Sequence, residues 1–345
     1  MIKDEKLRDA IWEEIMQLSD YTSTLENFKV EDLRKIEVLN VEHVGIKNLD
    51  GIENLVNLTE LYLGNNQVKS IEGVNFNKLN KLVYLFLSYN QIKGLSRVDF
   101  SNLNNLKHLN LSGNQITSLK GVDFSGLENL TTLTLGNNQI ESLEGTDFSN
   151  LNSLTTLVFY KNEIKSLEKA DFRGLYNLKI LNFERNQIGD LKNVEFRGLD
   201  GLTYLNLSGN QIGNLKGVDF SHLKALTHLN FSGNQIESLE DANFQGLDSL
   251  GELSLQMNRI ESLKGANFTT LDNLTNLFLT VNQIDTMDWF KNALSGLKIN
   301  NILTIYMYGN PVTGSAEYDM VTAEIKGGEN TNIEFKPFLS SAIKE

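Results

Sequence analysis

Apolar residues recur along this chain in one frame, L-x-x-L-x-L-x-x-N, and the frame returns every 24 residues. Leu58, Leu61, Leu63 and Asn66 make one copy; Leu130, Leu133, Leu135 and Asn138 make another. The closing Asn marks the register. Asn66, Asn90, Asn114, Asn138, Asn162, Asn186, Asn210, Asn234, Asn258 and Asn282 are each 24 residues from the next. Asn310 ends a last frame, Ile302-Ile305-Met307-Asn310, after a longer spacer. Alternation in L-x-L predicts a short strand with one buried face. Phe159, Phe183 and Phe231 stand at the third Leu position. One such coil cannot bury its own apolar face, so the coils are expected to stack with parallel strands and a shared core.

A second marker lies in the segment that returns the chain to the next strand. Phe76, Phe100, Phe124, Phe148, Phe172, Phe196, Phe220, Phe244 and Phe268 recur at the same place. Stacked, they predict an aromatic spine on the convex side of the core. Asp or a relative precedes each Phe, as in DFSGL, and suits the N-cap of a short helical turn. Stacked carboxylates also invite a calcium reading, but capping accounts for the residue type. The polar Asn amid core residues has a structural explanation. Backbone groups left unpaired where each strand ends need partners, and an Asn side chain offers both donors and an acceptor. The eleven marker residues, Asn66 through Asn310, are therefore expected to form an internal ladder.

An open stack exposes core at both ends and needs caps. Residues 1–35 are expected to form a helical N-terminal cap. In it Leu7, Ile11, Ile15 and Leu18 share one face over residues 3–18, with Trp12 beside it, and a second short helix lies near Val30–Lys35. The solenoid is expected over 36–310. It begins with a degenerate coil, 36–57, that has Val44 at the ladder position; regular coils start at 58. At the other end Trp289 and Phe290 are the expected spine substitutes. Pro311 stops regular coiling, AEYDMVTAEIK reads as a helix ended by Gly327-Gly328, and NIEFKPF adds a last strand. Residues 311–345 thus form an α/β C-terminal cap.

This is the leucine-rich repeat pattern. The helical cap followed by GIKNLDGIENLVNLTELYLGNNQV resembles the start of the internalin-like leucine-rich repeat proteins of Gram-positive bacteria. The resemblance implies a curved α/β solenoid, a right-handed superhelix with a parallel concave sheet. It also implies a protein partner on that concave face, usually outside the cell. Internalins mostly use a shorter coil without the Phe spine, and no sortase-type anchor is visible in this chain.

Residues flanking the middle Leu of each frame point out of the concave sheet. One column runs Glu60, Tyr84, His108, Thr132, Thr156, Ile180, Tyr204, His228, Glu252, Asn276, Thr304; the other runs Tyr62, Phe86, Asn110, Thr134, Val158, Asn182, Asn206, Asn230, Ser254, Phe278, Tyr306. Lysines and most acids avoid both, which places the net negative charge mainly on the convex and lateral surfaces. The partner-binding candidates are Tyr62, Tyr84, Phe86, Tyr89, His108, Val158, Tyr160, Ile180, Tyr204, His228, Phe278, Tyr306 and Tyr308. Such a charge-poor, aromatic surface has the makeup of a protein interface. The row Asn182, Asn206, Asn230, beside Tyr204, offers an alternative: glycan or cell-wall recognition on the same face. The near-identity of the coils also fits a consensus-like scaffold with no natural ligand.

Composition narrows the chemistry. The 345 residues carry a formal net charge of −13, which argues against nucleic acid and an anionic membrane as partners. Cys is absent, which removes disulfides, thiolate catalysis and Cys-type zinc sites. Of the four His (His43, His108, His222 and His228), His108 and His228 share a column but lie five coils apart, too far to share a metal or form a dyad, and His222 belongs to the convex segment. No cofactor, metal or catalytic group is expected, and no apolar run is long enough to span a membrane. The N-terminus MIKDEKLRDAIWEEIMQLSD has no apolar core of a signal peptide, which leaves a cytoplasmic location open. The resemblance favours a secreted or surface-attached bacterial protein.

Overall fold

The computed structural model describes residues 2–17, 30–294, 297, 302–327 and 333–336. The chain divides into two compact units, Met1–Glu163 with Ala170–Leu178, and Ile164–Lys169 with Lys179–Glu345.

The first unit opens with helix α1, Glu5–Met16, which buries Leu7, Ile11 and Ile15; Leu18 lies outside the described residues. Asp4 starts this helix and ties it to the first coil. Its carboxylate accepts the N–H of Leu7 at 3.1 Å, and those of Lys47 and Asn48 at 2.9 and 3.1 Å. Burial of the Asp4 carboxyl opposes its ionisation, but the backbone N–H donors of Lys47, Leu7 and Asn48 outweigh that and hold its pKa below the ordinary value. A 3-10 helix follows at Val30–Lys35. Then come strands β1 (Val38–Asn40), β2 (Glu60–Tyr62), β3 (Tyr84–Phe86), β4 (His108–Asn110), β5 (Thr132–Thr134) and β6 (Thr156–Val158). Each pairs in parallel with the next, one coil on, so that Leu39, Leu61, Leu85, Leu109, Leu133 and Leu157 lie in one register row. All six are buried.

The second unit repeats this order with β7 (Ile180–Asn182), β8 (Tyr204–Asn206), β9 (His228–Asn230), β10 (Glu252–Ser254), β11 (Asn276–Phe278), β12 (Leu303–Tyr306) and β13 (Ile333–Lys336), again in parallel. A short helix α2, Phe290–Ala293, precedes β12, and α3, Ala316–Gly327, precedes β13. Gly328, Asn332, Pro337 and Phe338 lie outside the described residues. Two expectations about this end change. Phe290 is fully buried and its ring lies 6.0 Å from that of Phe335, so it joins the core. Trp289 is 37% exposed, with the Lys264 ammonium 6.0 Å from its ring centroid. In the last frame Ile302 is 55% exposed and Leu303 is buried in its stead. The longer spacer frees the approach to β12 from the 24-residue spacing, and the strand takes up its pairing with Leu303 turned inward.

The return segments are chains of single turns rather than helices. Leu103 N–H donates to Phe100 O at 3.0 Å, and Leu106 N–H to Leu103 O at 2.9 Å; 3-10 helices close at Ile52–Asn54 and Phe76–Lys78. The preceding acids cap those turns at short range, Ser101 N–H donating to Asp99 at 3.0 Å and Ser125 N–H to Asp123 at 2.9 Å. Asn75, before the Phe76–Lys78 helix, makes no such bond. The nine spine Phe are at most 2% exposed. They stack within each unit, Phe124 on Phe148 at 6.3 Å and Phe244 on Phe268 at 5.6 Å, spacings typical of offset aromatic pairs.

Candidate partner-binding face

Each coil ends its strand the same way. Asn138 is 7% exposed. Its amide nitrogen donates to Leu111 O of the preceding coil and to Leu135 O of its own, both at 3.0 Å, and its Oδ1 accepts Ile116 N–H at 3.0 Å. Asn66 starts the series by accepting from Gly45 and Ile46, at 2.8 and 2.9 Å. Asn310 ends it, donating to Leu279 O and Met307 O at 2.8 and 2.7 Å. Each of these residues bonds groups that would otherwise be buried and unpaired.

To bring that Asn inward the residue before it takes a left-handed backbone. Gly occupies the corner at Gly113, Gly209, Gly233 and Gly309, and Asn at Asn65 and Asn137. Those residue types enter the left-handed region at least cost. Tyr89, Lys161, Arg185, Met257 and Val281 adopt it as well, at φ 53°, 51°, 54°, 57° and 54°. For Met and above all for β-branched Val this conformation is costly. Tyr89, Met257 and Val281 are also 51%, 61% and 46% exposed. The corner thus carries strained, outward apolar side chains beside the strand face. Lys161, Arg185, Met257 and Val281 were absent from the candidates read in the sequence. The signal was legible in principle: five departures from Gly or Asn immediately before the ladder residue, Tyr89 among them.

The strand columns point outward as the alternation requires. In the first unit Tyr62, Tyr84, Phe86, His108 and Val158 are half-buried, as is Tyr160. Four of these come together: Tyr62 meets Phe86 edge to face at 5.1 Å, Phe86 meets Tyr84 at 6.1 Å and 87°, and Tyr84 stacks on His108 at 4.8 Å. Tyr89 and Tyr160 instead lean on neighbouring coils. A Cβ on Gly113 would stand 2.5 Å from the Tyr89 ring, and one on Gly136 would stand 2.1 Å from that of Tyr160. The Lys161 ammonium sits 5.8 Å from the centroid of the Tyr160 ring.

In the second unit the candidates form two pairs. Tyr204 and the exposed His228 lie 6.1 Å apart, and Phe278 stacks on Tyr306 at 4.5 Å. Ile180 and Tyr308 are 39% and 42% exposed. The expected exposed Asn row is not all exposed. Asn206 is 5% exposed, because its Oδ1 turns back to accept Ser208 N–H at 3.0 Å and its amide reaches Glu184 at 3.5 Å. Asn182 and Asn230 likewise accept the N–H two residues on, at 2.8 Å.

Carboxylates stand beside two of the tyrosines. Tyr62 donates its hydroxyl to Glu60 Oε2 at 2.7 Å. That bond, burial, and the charges of Glu60 and Glu42 push the Tyr62 pKa up to about 12. Burial pushes Tyr204 up as well, followed by the charges of Glu184 and Glu252. The return side offers less. A recess of about 520 Å³ lined by Asn193, Glu195, Arg197, Gly217, Asp219 and His222 is open and polar. Among the described residues no group of three or more His, Asp and Glu is placed to hold a metal. No helix among them is long and apolar enough to cross a membrane.

The leucine-rich repeat pattern matches residues 56–116, 159–212 and 211–260, and the paired-repeat pattern of the same family matches 34–76 and 104–153. Together these span well over half of the chain. It belongs to the leucine-rich repeat family. No curated protein matches it in sequence. Among solved structures this leucine-rich repeat chain is similar to an internalin, InlF, of Listeria monocytogenes, with 22% identity and a TM-score of 0.63 over 98% of this chain and 96% of that one. A leucine-rich repeat protein of Leptospira interrogans is similar at 24% identity and a TM-score of 0.62, over 84% and 71%. The leucine-rich repeat part of FLRT2, solved in an octameric complex with latrophilin 3 and Unc5D, is similar at 22% identity and a TM-score of 0.69, over 90% and 92%. The fold is therefore an internalin-like leucine-rich repeat solenoid, an architecture that also occurs in assemblies with protein partners.

Proposed function

We propose that this chain is a non-enzymatic module that binds a protein partner on its strand face, outside a bacterial cell. The observation that carries the reading is the Tyr62–Phe86–Tyr84–His108 cluster: large rings, half-exposed, on strands held rigid by parallel pairing and by the Asn ladder beneath. Rigid aromatic side chains lose little entropy on binding and dominate interface energetics. The strained corner residues support the same face, since left-handed Tyr89, Met257 and Val281 cost folding energy at sites where other coils use Gly. Likeness to an internalin fold supports the extracellular bacterial setting.

The test is partner capture with three baits: the native chain, Tyr84→Ala plus Phe86→Ala, and a return-side control, Arg197→Ala plus Lys224→Ala. A protein retained by the native chain and the control, and lost from the strand-face variant while its circular dichroism stays folded, is the expected outcome. Loss from the control alone would move the site to the return side. A glycan array response that survives the aromatic changes and fails in Asn230→Ala would replace the protein partner by a sugar.

A further inference from the structure

The aromatic cluster of the first unit contains a carboxylate that any partner must cover. Glu60 lies in β2, directly across from Tyr84 in β3, and its Oε2 holds the Tyr62 hydroxyl at 2.7 Å. Glu42 stands on the same side, close enough to Tyr62 for its charge to act there; a Cβ on Gly64 would meet its Oε1 at 2.3 Å. Among the described residues neither Glu60 nor Glu42 forms an ion pair. The second unit differs, since there Glu184 has Arg185 beside it at 3.6 Å. Seating an apolar surface on these rings would strip water from two unpaired carboxylates, which is strongly unfavourable. An anion would meet both charges and the negative ring faces. A cation meets favourable partners on both counts: ring faces attract it and the carboxylates neutralise it.

Resting on the strand-face reading above, we infer that the first-unit patch takes an arginine- or lysine-bearing segment of a protein partner, its cationic group laid on Tyr84 and Phe86 and its charge met by Glu60 and Glu42. The planar guanidinium fits best, because it stacks on a ring and engages a carboxylate with two N–H donors at once.

Titration of the full chain with a fluorescent arginine-bearing peptide, followed by anisotropy, tests this directly. The lysine counterpart and the neutral citrulline counterpart serve as comparison probes. The arginine peptide is expected to bind, lysine several-fold more weakly, and citrulline at least about tenfold more weakly. Glu60→Gln plus Glu42→Gln should cost about tenfold, while Glu237→Gln plus Glu240→Gln, an equal change of net charge at an exposed edge, should cost less than about twofold. Gln at position 60 still accepts the Tyr62 hydroxyl, so the fold is kept. Equal losses in the two double variants, equal affinity for citrulline, or no arginine binding up to about millimolar peptide would overturn the assignment. A captured partner lost from the Tyr84/Phe86 variant but indifferent to Glu60→Gln plus Glu42→Gln would overturn the cation alone and leave the strand-face reading standing.

Discussion

Two regions of each coil use the same residue type to opposite ends. At the strand-end corner, Asn138 and its equivalents are buried and bond two successive coils. On the strand face, Asn182 and Asn230 are only half-buried and accept an N–H from their own coil. Thr146 shows what happens without such bonding: it is 4% exposed, and its hydroxyl has no partner where other coils place Val98, Val122, Val194 or Val218. A buried polar group is therefore stabilising here only where neighbouring coils offer complementary backbone groups, and burial alone does not separate the two cases.

The sharpest test of that contrast is Asn138→Ala. It strands two carbonyls and one amide and should cost about 2–3 kcal/mol in urea unfolding, whereas Asn230→Ala should cost under about 1 kcal/mol. Equal losses would erase the distinction between corner and face. Thr146→Val should stabilise by about 1–2 kcal/mol by removing an unpaired buried hydroxyl; a loss of stability would mean that the hydroxyl is satisfied after all.

Asp4→Ala should cost about 1 kcal/mol through the lost helix cap, and it adds a pH signature. The folded state holds the Asp4 carboxyl below its ordinary value of 3.8. Its contribution is complete above that value and is lost as pH falls through the lower folded one. Native and variant stabilities should accordingly converge in acid below about pH 4; a gap constant down to pH 2 would contradict the bonding seen at Lys47 and Asn48.

The smallest effect has the most bearing on function. Val281→Gly should leave stability unchanged or raise it by up to about 1 kcal/mol, since Gly enters the left-handed corner without strain. The same change should weaken any partner that rests on this corner. A clear loss of stability would instead make Val281 a packing residue.

Spacing alone carried the repeat architecture. The 24-residue recurrence of Leu, Asn and Phe determined the strands, the core positions and the coil register, because each depends only on residues within one coil and is written many times over. The amphipathic spacing of Leu7, Ile11 and Ile15 likewise announced α1. Where the spacing broke, the sequence misassigned Ile302, in whose stead Leu303 is buried, and Trp289, which stays exposed, while Phe290 enters the core as expected. Tertiary structure decided the rest: that Asn206 is buried, that Tyr62 holds Glu60 within a ring cluster, and that Met257 and Val281 stand strained and outward. Those properties arise between coils, from cross-strand register and backbone φ. A one-dimensional pattern records which residues repeat and leaves their contacts to the fold.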